Sequence, residues 1–311
     1  MNQRFLNKLT VLWANFLAKV SDFYPVTFYV ERREELFDRF DVKKDIHDDV
    51  GIILQGPVLK KDSFTLNTVA ALKDSYPNVQ LILSTWDDEG TDEFNDLNIT
   101  VVKSPKPSFF GLGNINLQLA STQAGLQSLD KRAIYVLKMR TDQRFDTDRD
   151  FIAYFKNLMS LFPVAKDICV SSRMIAQGLQ FHPAVKYPVS DFFMFGSRED
   201  VSLYWDIPHD NKKEPAFIDV TQDNFMKAQV SEGYLLHHFF ETVAYEPEWS
   251  WECSEKFMTD YFCIIDQHAI GKFWYKYHWP FGNRRKRKGN LLKDDSLGFM
   301  EWFQMYMRNK G

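Results

Sequence analysis

The stretch Ala133-Ile134-Tyr135-Val136-Leu137-Lys138-Met139-Arg140-Thr141-Asp142-Gln143-Arg144-Phe145 decides how the rest of the chain is read. Its first half is an apolar run rich in branched and aromatic residues, the pattern of a buried strand. The run then breaks into Arg140, Asp142 and Arg144. In open α/β sheets, ligands bind outside the carboxyl ends of the strands. A carboxylate between two guanidiniums at such an end suits a metal-phosphate group, the carboxylate taking the cation and the arginines the phosphate oxygens. The same three residues would serve equally well as an ion-pair cluster closing a strand.

Around this stretch the chain punctuates itself as strand, helix, strand. Val50 to Gln55 is an apolar run broken by Gly56-Pro57, a buried strand turning into a loop. Asp62 is placed to cap a helix reaching Ser75, stopped by Tyr76-Pro77-Asn78. Val79 to Leu83 reads as a second strand ending in Ser84-Thr85-Trp86, and Ile99 to Val102 as a third. This alternation predicts a parallel sheet. Gly111-Leu112-Gly113 opens an amide-rich helix to about Leu129, but with no third glycine it is not a dinucleotide fingerprint. By spacing, Asn116, Gln123 and Gln127 share a helix face from which they reach either a ligand or solvent.

Beyond the central strand, Asp146-Thr147-Asp148 has the look of a metal motif but lies past the strand end. Asp148 is expected instead to cap a helix from Arg149 to Leu161. Asp167 to Ser171 reads as a strand, 174–190 as a loop, Ser190 to Gly196 as a strand entered by Asp191, and Asp200 to Trp205 as a helix. A helix opens at Ser231-Glu232, a late strand runs from Tyr261 to Ile265, and an apolar helix with Trp302 and Tyr306 ends the chain.

The 311 residues suffice for one large or two modest domains, and hydrophobic (45%) and charged (26%) fractions are those of a folded globular protein. A net charge of −4 gives no whole-molecule attraction to nucleic acid. Three cysteines without metal spacing predict free thiols in a reducing, cytoplasmic setting. No apolar run has the length of a membrane span. Residues 1–24 carry Phe5, Leu9, Leu12, Phe16 and Val20 at helical spacing. That face either packs on a domain or lies in a membrane interface. The basic run 284–288 and the last helix extend the second option to the inner face of the cytoplasmic membrane, an anionic surface. The expected division is a helical segment 1–46, a main domain 47–280, and a basic linker with amphipathic helix 281–311.

Five motifs in order, Gly51-Ile52-Ile53-Leu54-Gln55-Gly56-Pro57, Ser84-Thr85-Trp86, Asn114-Ile115-Asn116-Leu117-Gln118, Lys138-x-Arg140-x-Asp142-Gln143-Arg144 and Asp191-Phe192-Phe193-Met194-Phe195-Gly196, resemble the WavE lipopolysaccharide-synthesis family over roughly residues 48–270. The resemblance implies a glycosyltransferase with a GT-A-like fold, a Rossmann-type mixed α/β sheet flanked by helices. Such a fold takes a nucleotide-sugar donor, usually with Mn or Mg at an Asp-x-Asp closing the middle strand. Here Thr141-Asp142-Gln143 stands at that place, one carboxylate where two are common, and Arg140 and Arg144 can supply part of the missing cation charge.

By the same resemblance, Gln55, Gly56 and Pro57 would line the base and ribose with Trp86 beside them. Asn114, Asn116 and Gln118 would approach the donor sugar, and Asp142 the diphosphate. His268 would be a further metal ligand. Asp191 and Glu232 compete for the role of general base toward a saccharide or lipid-linked saccharide acceptor. Two other functions fit the same pieces: a nucleotidyltransferase of sugar metabolism, and a non-catalytic carbohydrate-binding or scaffold protein of the pathway.

Overall fold

A computed structural model describes residues 46–179, 185–216, 224–267, 269–275 and 297–310, all within one unit spanning Lys44–Gly311. Its centre is a seven-stranded mixed sheet. Strand β1 (Val50–Gln55) is followed by α1 (Phe64–Ser75), β2 (Gln80–Trp86), β3 (Thr100–Ser104), α2 (Ile115–Ser128) and β4 (Tyr135–Arg140). Next come a short β5 (Gln143–Arg144), α3 (Phe151–Leu161), β6 (Met174–Gly178), β7 (Val189–Ser197) and α4 (Arg198–Trp205). The chain continues through α5 (Glu232–Thr242), α6 (Trp251–Tyr261), β8 (Phe262–Ile264), β9 (Phe273–Trp274) and α7 (Phe299–Lys310).

The strand order is β3-β2-β1-β4-β7-β6-β8, with β5 and β9 forming a separate pair. Strands β1 to β4 run parallel, and β7 runs antiparallel between β4 and β6. This is the helix-flanked mixed sheet expected of a GT-A-like fold. The reversal of β7 matters for the site. Lys138 pairs with Met194, so the start of β7, with Asp191, lies at the same sheet edge as the end of β4, with Arg140.

Strands buried on both faces read as continuous apolar runs, and β1, β6 and β7 are buried throughout. Phenylalanines fill the sheet–helix interface: Phe155 lies 6.0 Å from Phe193 and 5.2 Å from Phe195, with Phe145 5.2 Å from Phe193. Edge-to-face and offset rings add about 0.5–1.5 kcal/mol per pair to the burial itself, so the high Phe content is largely core.

Several local expectations are corrected. Residues 167–171 form turns, and the strand is Met174–Gly178, inside what reads as a loop. The delimiter is Arg173, almost fully buried, whose guanidinium donates to the carbonyls of Thr259 (2.5 Å), Phe162 (2.7 Å) and Pro163. A sequence pattern registers that arginine as a polar stop. The helix after β5 is capped by Asp150, whose carboxylate accepts from the Ala153 amide at 2.9 Å, and not by Asp148. Asp62 does not cap α1: it and Ser63 both sit at positive φ, and its carboxylate accepts from the Tyr275 hydroxyl. Helix α6 had no sequence expectation. Its Ser250 side chain accepts from the Cys253 amide, an N-cap preceding an amphipathic turn.

The aromatic face of α7 is turned inward. Trp302 and Tyr306 are buried, and Phe162 packs on both at 5.1 and 5.2 Å, so these rings are not offered to a membrane. No described helix is long and apolar enough to cross one. The described cysteines Cys169, Cys253 and Cys263 are unbridged. Residues 1–24, His268 and the basic run 284–288 lie outside the described residues.

Candidate active site

A cleft of about 800 Å³ opens at the carboxyl ends of β1, β2 and β4, a volume in the range of small-molecule sites. Its floor is the turn from β4 into β5. The Thr141 amide donates to the Gln55 carbonyl (3.1 Å) and the Thr141 hydroxyl to the Pro57 carbonyl (2.7 Å). Gly56 is required here, since its φ is +119° and a Cβ would stand 3.0 Å from the Thr141 hydroxyl. The Gln55 side chain is held by the Ser121 hydroxyl at 2.8 Å.

The far wall is the start of α2. Gly113 has φ +66°, and a Cβ there would meet the Ser231 hydroxyl at 1.9 Å. The Gly-x-Gly therefore lets the α2 turn approach the start of α5, and with it Glu232.

Of the residues proposed for the donor, Gln55, Gly56, Pro57, Trp86, Asn114, Gln118, Arg140 and Asp142 line this cleft. Two expected residues do not. Arg144 turns under α1, donating to the Thr68 hydroxyl (2.9 Å) and Phe64 carbonyl (3.1 Å) with its guanidinium over the Phe64 ring. Asn116 is buried with its amide spent on the Phe109 carbonyl and on both backbone groups of Asp210. Gln123 likewise donates to the Trp205 and Ile207 carbonyls. The helix face picked out by spacing thus holds the 206–216 segment. Asp146 pairs with Arg149 at 3.6 Å, away from the cleft.

Arg140 and Asp142 form a two-pronged pair, Nε to Oδ1 at 3.0 Å and Nη2 to Oδ2 at 3.2 Å. The Trp274 indole N–H donates to Oδ2 at 2.9 Å, and the Tyr275 amide to the Asp142 carbonyl at 3.0 Å. Burial pushes the Asp142 carboxyl up, but the Arg140 charge and these donors outweigh it and hold it below the usual range. Sequence reading missed this second clamp. Only the β5–β9 pairing brings Trp274 to Asp142.

Behind the cleft sits a buried polar chain. Gln118 donates to Asp191 Oδ2, and no described residue bonds the buried Oδ1. Lys138, wholly buried, donates to the Asp191 carbonyl at 2.6 Å and to Gln118 Oε1 at 3.5 Å, with its ammonium 3.9 Å from the Trp205 ring centre. Burial lowers its pKa to about 7 against the opposing charge of Asp191. Lys138 was also missed, although a lysine inside an otherwise apolar strand is itself the signal. Glu232, half-buried at the start of α5, has its carboxyl pushed up to about 8, by burial first and by the charge of Asp191 second.

A divalent ion needs several hard oxygen ligands with free lone pairs. Asp142 is the one carboxylate among the described cleft-lining residues, and both its oxygens are engaged by Arg140 and Trp274. Among the described residues no group of three or more His, Cys, Asp or Glu gathers as an ion would need. With a single carboxylate already taking three N–H donors and a guanidinium beside it, the described cleft-lining residues do not by themselves fit a divalent cation.

An α/β protein whose cleft lies at its strand ends, with Arg140 and Asp142 in the lining, has a small-molecule site where open α/β sheets place their ligands. The WavE lipopolysaccharide synthesis family model matches residues 50–240, and the chain belongs to that family. Among solved structures it is similar to 4-diphosphocytidyl-2C-methyl-D-erythritol synthase from Anaerococcus prevotii DSM 20548 (12% identity, TM-score 0.36, 64% of this chain and 85% of that one). It is also similar to Drosophila β1,4-galactosyltransferase 7 in complex with manganese, UDP-Gal and xylobiose (10%, 0.31, 63% of each chain). A third is the galactosyltransferase LgtC with donor and acceptor sugar analogues (11%, 0.31, 48% and 58%). The match spans less than two thirds of either galactosyltransferase. No curated protein matches.

Proposed function

We propose that this protein is a nucleotide-sugar-dependent glycosyltransferase that extends a saccharide, free or lipid-linked, in lipopolysaccharide or capsule assembly. The observation that carries the reading is a cleft holding Arg140 and Gln118 with two carboxylates near it: Asp191, which accepts from Gln118, and Glu232, which follows the Ser231 that bonds the cleft-lining Gly113 and feels the charges of Asp191 and Arg140. The nucleoside end of the donor lies against Gln55, Gly56, Pro57 and Trp86, and its diphosphate faces Arg140. The acceptor hydroxyl oxygen attacks the anomeric carbon, the bond from that carbon to the diphosphate oxygen breaks, and the hydroxyl proton passes to a carboxylate.

Of the two carboxylates, Glu232 fits the base better. It is the more exposed, and burial and the charge of Asp191 raise its carboxyl, which makes it the readier of the two to take a proton. Asp191 is shut in and held through Gln118 and Lys138, and it acts as the fixed charge that raises Glu232. Attachment to an anionic membrane rests on residues 1–24 and 284–288.

Thermal-shift screening of nucleotide sugars should find one that raises the melting temperature. With that donor and a saccharide acceptor, Glu232→Gln should lose roughly 10²–10⁴-fold in turnover while the donor-induced shift persists. A screen in which no nucleotide sugar stabilises the protein would refute the transferase reading and favour the scaffold. Full turnover in Glu232→Gln would remove Glu232 from the base role.

A further inference from the structure

The fold to which this chain belongs usually neutralises the donor diphosphate with a divalent cation, and the cleft described above does not fit one. We infer that Arg140 takes that place. In this arrangement Asp142 is a positioning residue for the guanidinium and not a metal ligand. The inference rests on the donor-cleft reading of the preceding section.

The geometry is specific. Arg140 commits Nε and Nη2 to Asp142, and its remaining nitrogen, Nη1, bonds no other described residue. Trp274 Nε1 fixes the second carboxylate oxygen at 2.9 Å, and its ring lies 5.6 Å from the guanidinium carbon. The guanidinium is thus braced by a carboxylate on one edge and an indole face beside it, with its third corner free at the cleft. A planar guanidinium held this way presents paired N–H donors to phosphate oxygens, which a lysine cannot do.

A divalent ion at the same carboxylate would sit against a fixed positive charge and compete with three established N–H donors. Lys106, also on the cleft wall, adds a second cation, paired with Asp88 at 2.6 Å at the rim. Fixed cations of this kind stabilise charge developing on the leaving diphosphate without an ion having to bind first.

Calorimetric titration of UDP, GDP and CDP, each in EDTA and in Mn²⁺, tests this. The nucleotide that binds should do so in EDTA with an affinity within about threefold of that in Mn²⁺. Electron paramagnetic resonance should then find the Mn²⁺ signal unquenched by protein and nucleotide. Arg140→Lys should weaken binding roughly 10- to 100-fold in both buffers, the range for losing charge-assisted hydrogen bonds. Asp142→Asn should weaken it in both buffers too, since an amide NH₂ would face the Arg140 and Trp274 donors. Trp274→Phe removes a buried indole and should lower the melting temperature; titrated well below that temperature it should also bind the nucleotide several-fold more weakly in both buffers, a loss of affinity in the folded protein that a purely structural tryptophan would not cause.

Binding that appears only with Mn²⁺, with the ion signal quenched in wild type and restored by Asp142→Asn, would overturn the inference. So would wild-type affinity in Arg140→Lys. Binding in neither buffer would overturn the donor reading itself, and this inference with it.

Discussion

Lys138 offers a quantitative test of how the site is built. It is wholly buried, and its pKa falls from 10.5 to about 7 because burial disfavours the ammonium. A lysine with a depressed folded pKa is more readily deprotonated in the fold than in the unfolded chain. Between pH 7 and 10.5 the unfolded chain therefore binds more protons, and stability rises with pH by up to about 1.4 kcal/mol per unit. Over 3.5 units the full charging penalty is about 5 kcal/mol, reached near pH 7 and constant below it.

Lys138→Met removes that penalty. It also loses the 2.6 Å bond to the Asp191 carbonyl and leaves that carbonyl buried, a cost of about 1–3 kcal/mol. The variant should thus be equal to or more stable than wild type at pH 7, and about equal or less stable at pH 9.5, where roughly 1.4 kcal/mol of the penalty remains. The difference between the two should move by about 3 kcal/mol across that window, less where ionisation of Glu232 supports the ammonium. Urea denaturation of both proteins at pH 6, 7, 8 and 9.5 measures it. A difference that stays constant from pH 7 to 9.5 would refute the argument, because it would mean that Lys138 keeps an ordinary pKa in the fold.

Asp191→Asn removes a charge that raises the Glu232 carboxyl. If Glu232 is the base, the acid limb of the kcat/KM profile should move to lower pH, as a pH–rate series would record. Gly113→Ala forces a Cβ to within 1.9 Å of the Ser231 hydroxyl at φ +66°, which should cost about 1–3 kcal/mol. Adding Ser231→Ala should recover part of that loss in a double-mutant denaturation cycle. Arg173→Met strands the carbonyls of Thr259, Phe162 and Pro163 and should lower stability by about 2–4 kcal/mol in chemical denaturation.

Much of the fold was legible in the chain because buried strands and their punctuation are local signals. The runs 50–55, 80–86, 135–140 and 189–197 are mostly apolar, largely buried and broken by turn residues, so their identity and their order along the chain could be read directly. The strand at 174–178 was not legible. It is five residues long, carries Gln177 and Gly178, and is bounded by an arginine whose burial depends on three distant carbonyls.

The same division runs through the site. The residues put Gln55, Gly56, Pro57, Trp86, Arg140 and Asp142 at strand ends and Gln118 at a helix start, and the family resemblance grouped them around one donor; the structure has them lining one cleft. What each side chain does there was decided by partners far away in sequence. Trp274 closes on Asp142 across 132 residues, Asp210 takes the amide of Asn116, and Thr68 draws Arg144 under α1. Hydrogen bonds act over about 3 Å, and no spacing rule within one segment records which donor a fold will bring to that distance.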